Sequence, residues 1–169
     1  AVQSHTGSIA GDDAVYSAAF KKYGVLRIHR LDEIIDVSRA FTIQKLPKGR
    51  RIGVLTASGG ACSIIADLCS EKGLEVPDIA ETSEKIKEFI PPFGSARNPI
   101  DVTAEIIAKP EMFKKVLELL TKDPSIDGVI VMLTTNADPG ASVIAKAIVD
   151  VFKENDKPIV VGRLGADSI

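Results

Sequence analysis

The residues best suited to chemistry lie at the start of the sequence, in Ser4-His5-Thr6-Gly7-Ser8-Ile9-Ala10-Gly11. The imidazole of His5 is surrounded by small and hydroxylated side chains, and no apolar run flanks it that would indicate a core position. Gly7 and Gly11 permit backbone geometries that a Cβ disfavours, and they let a ligand approach the main chain. The loop is suited to holding an anion beside a nucleophilic imidazole. The alternative is a polar arm whose histidine titrates near neutrality.

Two further stretches place small or hydroxylated residues directly after an apolar segment. Ser58-Gly59-Gly60 follows residues 52–56, and Thr134-Thr135-Asn136 follows residues 128–133. Each is expected to be a turn from a parallel strand into a helix, at the edge where open α/β sheets bind ligands. The N–H groups at a helix start favour an anion by ~0.3–1 kcal/mol. Ser58, Gly59, Gly60, Thr135 and Asn136 are therefore predicted phosphate-binding residues, with an empty structural turn as the alternative.

Alternating apolar and amphipathic segments must position these turns. Apolar runs that alternate with amphipathic helices are typical of a parallel sheet covered on both faces. We therefore expect an α/β fold, a flavodoxin-like doubly wound parallel sheet with an N-terminal αβα appendage. The predicted strands are 25–28, 52–56, 74–76, 128–133 and 158–162, and the predicted helices are 12–23, 31–42, 61–72, 84–90, 109–121 and about 140–154.

The clearest boundary in the sequence is the cluster of proline, glycine and charge from Leu46 to Arg51. It predicts an N-terminal unit at 1–46, a linker at 47–51 and the flavodoxin-like domain at 52–169. The sequence lacks an initiator methionine and begins at a candidate active-site loop. We therefore expect a piece of a longer protein, truncated before the last helix of the sheet.

Composition excludes several classes of protein. The chain has 169 residues, 45% of them apolar, and a net charge of −2, which fits one domain with an appendage. Lys and Arg are interleaved with Asp and Glu, so no basic face for nucleic acid is expected. The apolar runs are far shorter than a membrane span. Cys62 and Cys69 fall on one predicted helix, where a disulfide is unfavourable, and this favours a reducing cytoplasm.

The stretch Ser4–Gly11 resembles the phosphohistidine loop of the NDP-forming acyl-CoA synthetases, relatives of succinyl-CoA synthetase. Asn98-Pro99-Ile100-Asp101 resembles an Asn-x-x-Asp segment of that family's ligase domain, and Gly162-Arg163-Leu164 resembles a Val-Arg-Leu ending there. The order of loop and ligase domain is similar to that of ADP-forming acetate–CoA ligases. The 133–140 turn departs from succinyl-CoA synthetase, which has paired glycines there, and Asp138 would repel a phosphate if it pointed inward.

The resemblance implies a reversible reaction of acyl-CoA, phosphate and ADP that gives a carboxylic acid, CoA and ATP. His5 is the implied phosphoryl carrier, and Gly7 and Gly11 are the implied hinges of its loop. The complete enzyme would use Mg, ADP or ATP, and CoA, with small-molecule substrates, whereas this piece is expected to bind no cofactor and to be inactive alone. Its implied partners are the CoA-binding and ATP-grasp domains or subunit that the sequence lacks.

Other functions remain open on the sequence. A non-catalytic regulatory domain of a larger protein would share the fold, and so would a stand-alone flavodoxin-like binding domain. A receiver domain is disfavoured because no paired acidic residues follow the first strand of the sheet. The apolar helix faces within 12–42 are expected to pack against the sheet domain, a second copy or another chain, so a homo-oligomer is one predicted arrangement.

Overall fold

The computed structural model describes residues 11–43, 45–105, 109–133 and 140–163. The chain divides into two compact units, Ala1–Thr42 and Ile43–Ile169. The first contains α1 (Asp13–Tyr23) and nearly all of α2 (Glu33–Ile43). The elements of the second are β1 (Ile52–Thr56), α3 (Gly59–Glu71), α4 (Ala80–Ile86), β2 (Ile100–Asp101), α5 (Pro110–Lys122), β3 (Gly128–Leu133), α6 (Gly140–Glu154) and β4 (Ile159–Arg163).

The first helix has clear start and stop signals, and they correct one prediction. The carboxylate of Asp12 accepts the N–H of Ala14 at 2.9 Å, and the left-handed Gly24 (φ 65°) ends α1. The N–H of Val25 then donates to the carbonyl of Phe20 at 2.9 Å, so it completes the helix end. The predicted strand at 25–28 is therefore wrong, because residues 25–29 form no strand. In the described residues the appendage consists of two helices.

Both helices of the first unit carry large apolar side chains in contact with solvent. The structure describes all of α1, and none of its residues is buried. Val15 is 66% exposed, Leu31 before α2 is 85% exposed and Phe41 on α2 is 65% exposed. The expectation that these faces pack against another surface stays a prediction.

The second unit is built on a parallel sheet with the order β2-β1-β3-β4. Alternate residues of β1 face opposite sides, because successive side chains of a strand point to opposite faces. Ile52 and Val54 pack with Ile65 of α3 on one face, whereas Leu55 packs with Phe113 of α5 on the other. Helices cover both faces, which confirms the predicted doubly wound α/β fold.

One side chain completes the edge of β1 that faces β2. At the amino end of this edge, the N–H of Ile52 donates to the carbonyl of Glu75 at 2.7 Å. Further along, Asn98 accepts the N–H of Val54 at 2.8 Å and donates to the carbonyl of Ile52 at 2.9 Å. The predicted strand at 74–76 is therefore reduced to a single bridge between Glu75 and Arg51.

The remaining helices lie close to their predicted ranges, with one correction near α4. A helix is predicted over 84–90, but α4 begins earlier, at Ala80, and contains Thr82 and Ser83. The hydroxyl of Ser83 donates to the carbonyl of Ala96 at 2.8 Å. Gly73 (φ 69°) follows α3 in a left-handed conformation that suits glycine.

The end of the predicted linker is attached to the amino end of the sheet by an ion pair. Nε and Nη2 of Arg51 donate to the two carboxylate oxygens of Asp127 at 2.9 and 2.7 Å. The main-chain N–H of Arg51 also donates to Asp127, at 3.0 Å. These bonds lower the pKa of the Asp127 carboxyl from 3.8 to about 2. The carboxylate is therefore strongly favoured in the folded chain.

This shift predicts a contribution to acid stability. Because the folded pKa of Asp127 lies below its ordinary value, the stabilisation is complete above that value and is lost as pH falls toward about 2. We expect the urea midpoint of Asp127→Asn to depend less on pH than that of the wild type between about pH 5 and pH 2. Asp78→Asn, at an exposed site, is the control. Parallel curves for wild type and Asp127→Asn would contradict the prediction.

Candidate functional site

The strands of the sheet end level with one another at its carboxyl edge. Thr56 at the end of β1 is in register with Asp101 of β2 and with Met132 of β3, and Met132 is in register with Gly162 of β4. Chain segments that follow these residues therefore leave the sheet along one edge. Open α/β sheets bind their ligands at this edge.

The start of α3 brings three predicted site residues together at this edge. Ser58 is the N-cap residue and has extended backbone geometry (φ −151°, ψ 119°), but its hydroxyl makes no capping hydrogen bond. Gly59 and Gly60 form the first helical turn, and both are exposed. The first N–H groups of a helix have no acceptor within it, and the helix dipole adds positive potential there. This arrangement can hold an anion.

A carboxylate stands beside the same helix start. A Cβ at Gly59 would lie 3.2 Å from Oδ2 of Asp101. Oδ1 of Asp101 accepts the N–H of Thr103 at 2.9 Å, which leaves Oδ2 directed toward the start of α3. Asp101 belongs to the Asn98–Asp101 segment that resembles the family's ligase domain, but no role was predicted for it from the sequence. An acidic residue at the end of a short strand was the signal.

Thr103 has a strained backbone next to this carboxylate. Its φ of 59° is left-handed, which is rare for a β-branched residue and costs ~1–3 kcal/mol. The hydrogen bond to Asp101 holds this conformation, and the Thr103 hydroxyl accepts the N–H of Glu105 at 3.4 Å. Such strain concentrates at functional sites.

The hydroxyl of Thr56 is a second group at this edge for which no role was predicted from the sequence. Thr56 is fully buried, and among the described residues its Oγ1 has no hydrogen-bond partner. Because Ile52 and Val54 face α3, strand alternation directs Thr56 to the same face, at the level of Asp101. Buried polar groups are nearly always paired, so this hydroxyl is notable at a candidate binding edge.

Neither cysteine of α3 is suited to act as a nucleophile. Burial raises the pKa of the Cys62 thiol to about 11, and the negative charge of Asp101 contributes to the shift. Burial also raises the pKa of Cys69. Both thiols are free. At neutral pH both are protonated, whereas a reactive cysteine needs its thiolate.

The other predicted site residues fall largely outside the described part of the chain. His5 and Gly7 lie there, and so do Thr135 and Asn136, which follow β3. Gly11 is described and exposed, and a Cβ at this position would lie 2.9 Å from the ring of Tyr16. Of the predicted site residues, the structure thus places Ser58, Gly59 and Gly60 at the start of α3. The proposed roles of His5, Gly7, Gly11, Thr135 and Asn136 stay predictions.

Two family models match the chain. Residues 52–168 match the Ligase-CoA domain, and residues 1–41 match the succinyl-CoA ligase like flavodoxin domain. Within the described residues, no helix is both long and apolar enough to cross a membrane.

Several similar proteins are named as ADP-forming CoA ligases. The chain is 37% identical, over 95% of its length, to subunit alpha of an ADP-forming acetate–CoA ligase II from Pyrococcus furiosus, and it spans 35% of that subunit. It is 34% identical, over 99% of its length, to an ADP-forming 4-hydroxybutyrate–CoA ligase from Nitrosopumilus maritimus, of which it spans 24%. A solved acetyl-coenzyme A synthetase 1 from Ca. Korarchaeum cryptofilum, in complex with phosphate and ADP, is 36% identical with a TM-score of 0.81. The match covers 97% of this chain and 36% of that one.

Proposed function

Because the chain belongs to the Ligase-CoA domain family, we propose that it is part of an ADP-forming acyl-CoA synthetase. The overall reaction converts acyl-CoA, phosphate and ADP to a carboxylic acid, CoA and ATP. The observation that carries the proposal is the open start of α3 at the carboxyl edge, inside the segment that matches the family. Residues 1–46 would be the end of a second domain, residues 47–51 a linker and residues 52–169 the ligase domain.

The chemistry follows from a histidine that carries a phosphoryl group. Phosphate attacks the thioester carbonyl, and CoA leaves as its thiolate to give an acyl phosphate. A neutral imidazole nitrogen of His5 attacks phosphorus, and the carboxylate leaves. ADP then accepts the phosphoryl group and restores the imidazole. Imidazole suits this role because it forms a covalent intermediate that splits the transfer into two steps. Gly7 and Gly11 are the proposed hinges of its loop.

The start of α3 is the proposed phosphate site of the ligase domain. Its first N–H groups and the hydroxyl of Ser58 are the proposed donors, and Gly59 and Gly60 let an anion approach the backbone. A negative charge at this helix end gains ~0.3–1 kcal/mol when exposed and up to ~2 kcal/mol when partly buried. Thr135 and Asn136 are proposed to complete the site from the neighbouring turn.

Other parts of the complete enzyme would supply CoA binding and nucleotide binding, through CoA-binding and ATP-grasp domains. Mg²⁺, ADP or ATP, and CoA are assigned to those parts. Among the described residues, no group of three or more His, Cys, Asp or Glu side chains could hold a metal ion. The two free thiols support a reducing compartment, which we propose to be the cytoplasm.

The proposal is tested by Gly59→Val in the complete enzyme, assayed for release of CoA from acetyl-CoA. We expect wild-type release to require both ADP and phosphate. We expect the substitution to lower kcat/KM for phosphate at least ~10-fold, or ~1.4 kcal/mol, because the side chain fills the space between α3 and Asp101. The control is Ser63→Val, at an exposed position of the same helix. Release that needs neither ADP nor phosphate would overturn the function, and an unchanged kcat/KM in Gly59→Val would overturn the phosphate site.

A further inference from the structure

The carboxylate of Asp101 is held rigidly beside the proposed phosphate site. Its backbone N–H donates to the carbonyl of Ser95 at 2.9 Å, and its own carbonyl accepts the Ser95 N–H at 2.9 Å. Its pairing with Thr56 in the sheet adds a second attachment. The N–H of Thr103 holds Oδ1, as described above. Oδ2 therefore occupies a defined position, with unused acceptor capacity toward Gly59.

The Asp101 carboxylate beside the first turn of α3 is unfavourable for binding a fully deprotonated anion there. The charge of Asp101 reaches the first turn of α3, because it contributes to the raised pKa of Cys62. Two negative groups at one site repel each other. A hydrogen bond can change that balance, because a carboxylate is a strong acceptor for an O–H group. Asp101 can therefore receive an anion that brings a proton of its own.

Thr56 points independently to a ligand on the same face. Its hydroxyl is buried and has no partner in the described part of the chain, and strand alternation directs it toward the start of α3. A hydroxyl both donates and accepts hydrogen bonds. It can therefore donate to an oxygen of a bound oxyanion, or accept a hydrogen bond from a protonated oxygen of that anion. Around the first turn of α3 the chain thus offers N–H donors, the hydroxyls of Ser58 and Thr56, and the fixed acceptor of Asp101.

We propose that Asp101 makes the anion site at the start of α3 selective for hydrogen phosphate over sulfate. The inference rests on the proposed function, which places phosphate at Ser58, Gly59 and Gly60. Phosphate retains at least one P–O–H group near neutral pH and can donate it to Oδ2. Sulfate has no such proton and meets the carboxylate as a like charge. A site that requires a donor from its ligand discriminates strongly against an analogue that lacks one.

The test compares the two anions on the complete enzyme. Phosphate KM and the inhibition constant of sulfate against phosphate are measured for wild type, Asp101→Asn and Asp101→Ser. The control is Asp67→Asn, an exposed position on α3. We expect sulfate to inhibit the wild type weakly. In both Asp101 variants the ratio of the sulfate inhibition constant to phosphate KM should fall at least ~10-fold, because the carboxylate that repels sulfate is gone. Thermal unfolding checks that the variants are folded.

The outcomes separate this inference from the proposed function. If Gly59→Val lowers kcat/KM for phosphate but the Asp101 variants keep the wild-type ratio of the sulfate inhibition constant to phosphate KM, the selectivity role is overturned and the phosphate site stands. If Gly59→Val leaves kcat/KM for phosphate unchanged, the phosphate site is overturned, and the selectivity role with it. Strong inhibition of the wild type by sulfate also overturns the role. Unfolding of both Asp101 variants would assign this residue to the fold alone.

Discussion

In the complete enzyme, replacing His5 with asparagine is expected to abolish phosphorylation of the protein and to lower turnover at least ~1000-fold. The proposed reaction passes the phosphoryl group through an imidazole nitrogen, and asparagine offers no comparable nucleophile. The chain has two histidines, His5 and His29. His29 is exposed, and its backbone N–H donates to Glu33 at 3.3 Å. His29→Asn is therefore the matched control and should keep wild-type labelling.

The label itself reports the chemistry. The enzyme is incubated with acetyl-CoA and radioactive phosphate, or with ATP labelled on its γ-phosphate. Phosphohistidine retains its label in alkali and loses it in acid, which distinguishes it from a phosphate ester of serine or threonine. Equal labelling in wild type and in His5→Asn would contradict the assignment of His5. Activity without any labelled protein would favour a direct transfer from acyl phosphate to ADP.

The elements with continuous apolar runs could be predicted from the sequence. The apolar segments of β1, β3 and β4 identify parallel strands, and the helical patterns between them require both faces to be covered. The prediction at 25–28 failed for a local reason. That apolar run directly follows a helix, where the N–H of Val25 belongs to the helix end and Arg27 donates to Asp13 at 3.1 Å. An apolar run alone does not show whether its backbone groups are free for a sheet.

The candidate site was predictable only in part. Glycines after an apolar run identified the start of α3, because strand-to-helix turns have a recognisable composition. Asp101 and Thr56 were missed because their roles depend on the register between β1 and β2. This register places the two residues, 45 positions apart in the sequence, side by side in the sheet. The left-handed conformation of Thr103 could not be predicted from its residue type, because β-branched residues rarely adopt it. The hydrogen bond to Asp101 imposes it here.

The second large effect is expected at Asn98, whose side chain takes the place of a strand along one edge of β1. Its carboxamide makes three hydrogen bonds to main-chain groups. Oδ1 accepts the N–H of Val54 at 2.8 Å, and Nδ2 donates to the carbonyls of Ile52 and Pro77 at 2.9 and 3.1 Å. Ile52 and Val54 are buried, so solvent cannot easily replace these bonds. A backbone group left unsatisfied in a buried place costs about 1–3 kcal/mol.

We therefore expect Asn98→Ala to destabilise the protein by ~3 kcal/mol or more, measured by urea unfolding. Asn98→Asp should be at least as harmful, because a carboxylate keeps the acceptor for Val54 but faces the carbonyl oxygens of Ile52 and Pro77. Arg97→Ala, at an exposed neighbouring position, is the matched control.

Amide hydrogen exchange at Val54 distinguishes the loss of this edge from a general loss of stability. The N–H of Val54 bonds to the side chain of Asn98, whereas that of Ile52 bonds to the carbonyl of Glu75. Under native conditions, Asn98→Ala should accelerate exchange at Val54 more than at Ile52, because only Val54 loses its acceptor. Equal acceleration at both amides would show that the substitution acts through global unfolding. An unchanged unfolding midpoint would show that water replaces the carboxamide, and the edge of β1 would then not depend on Asn98.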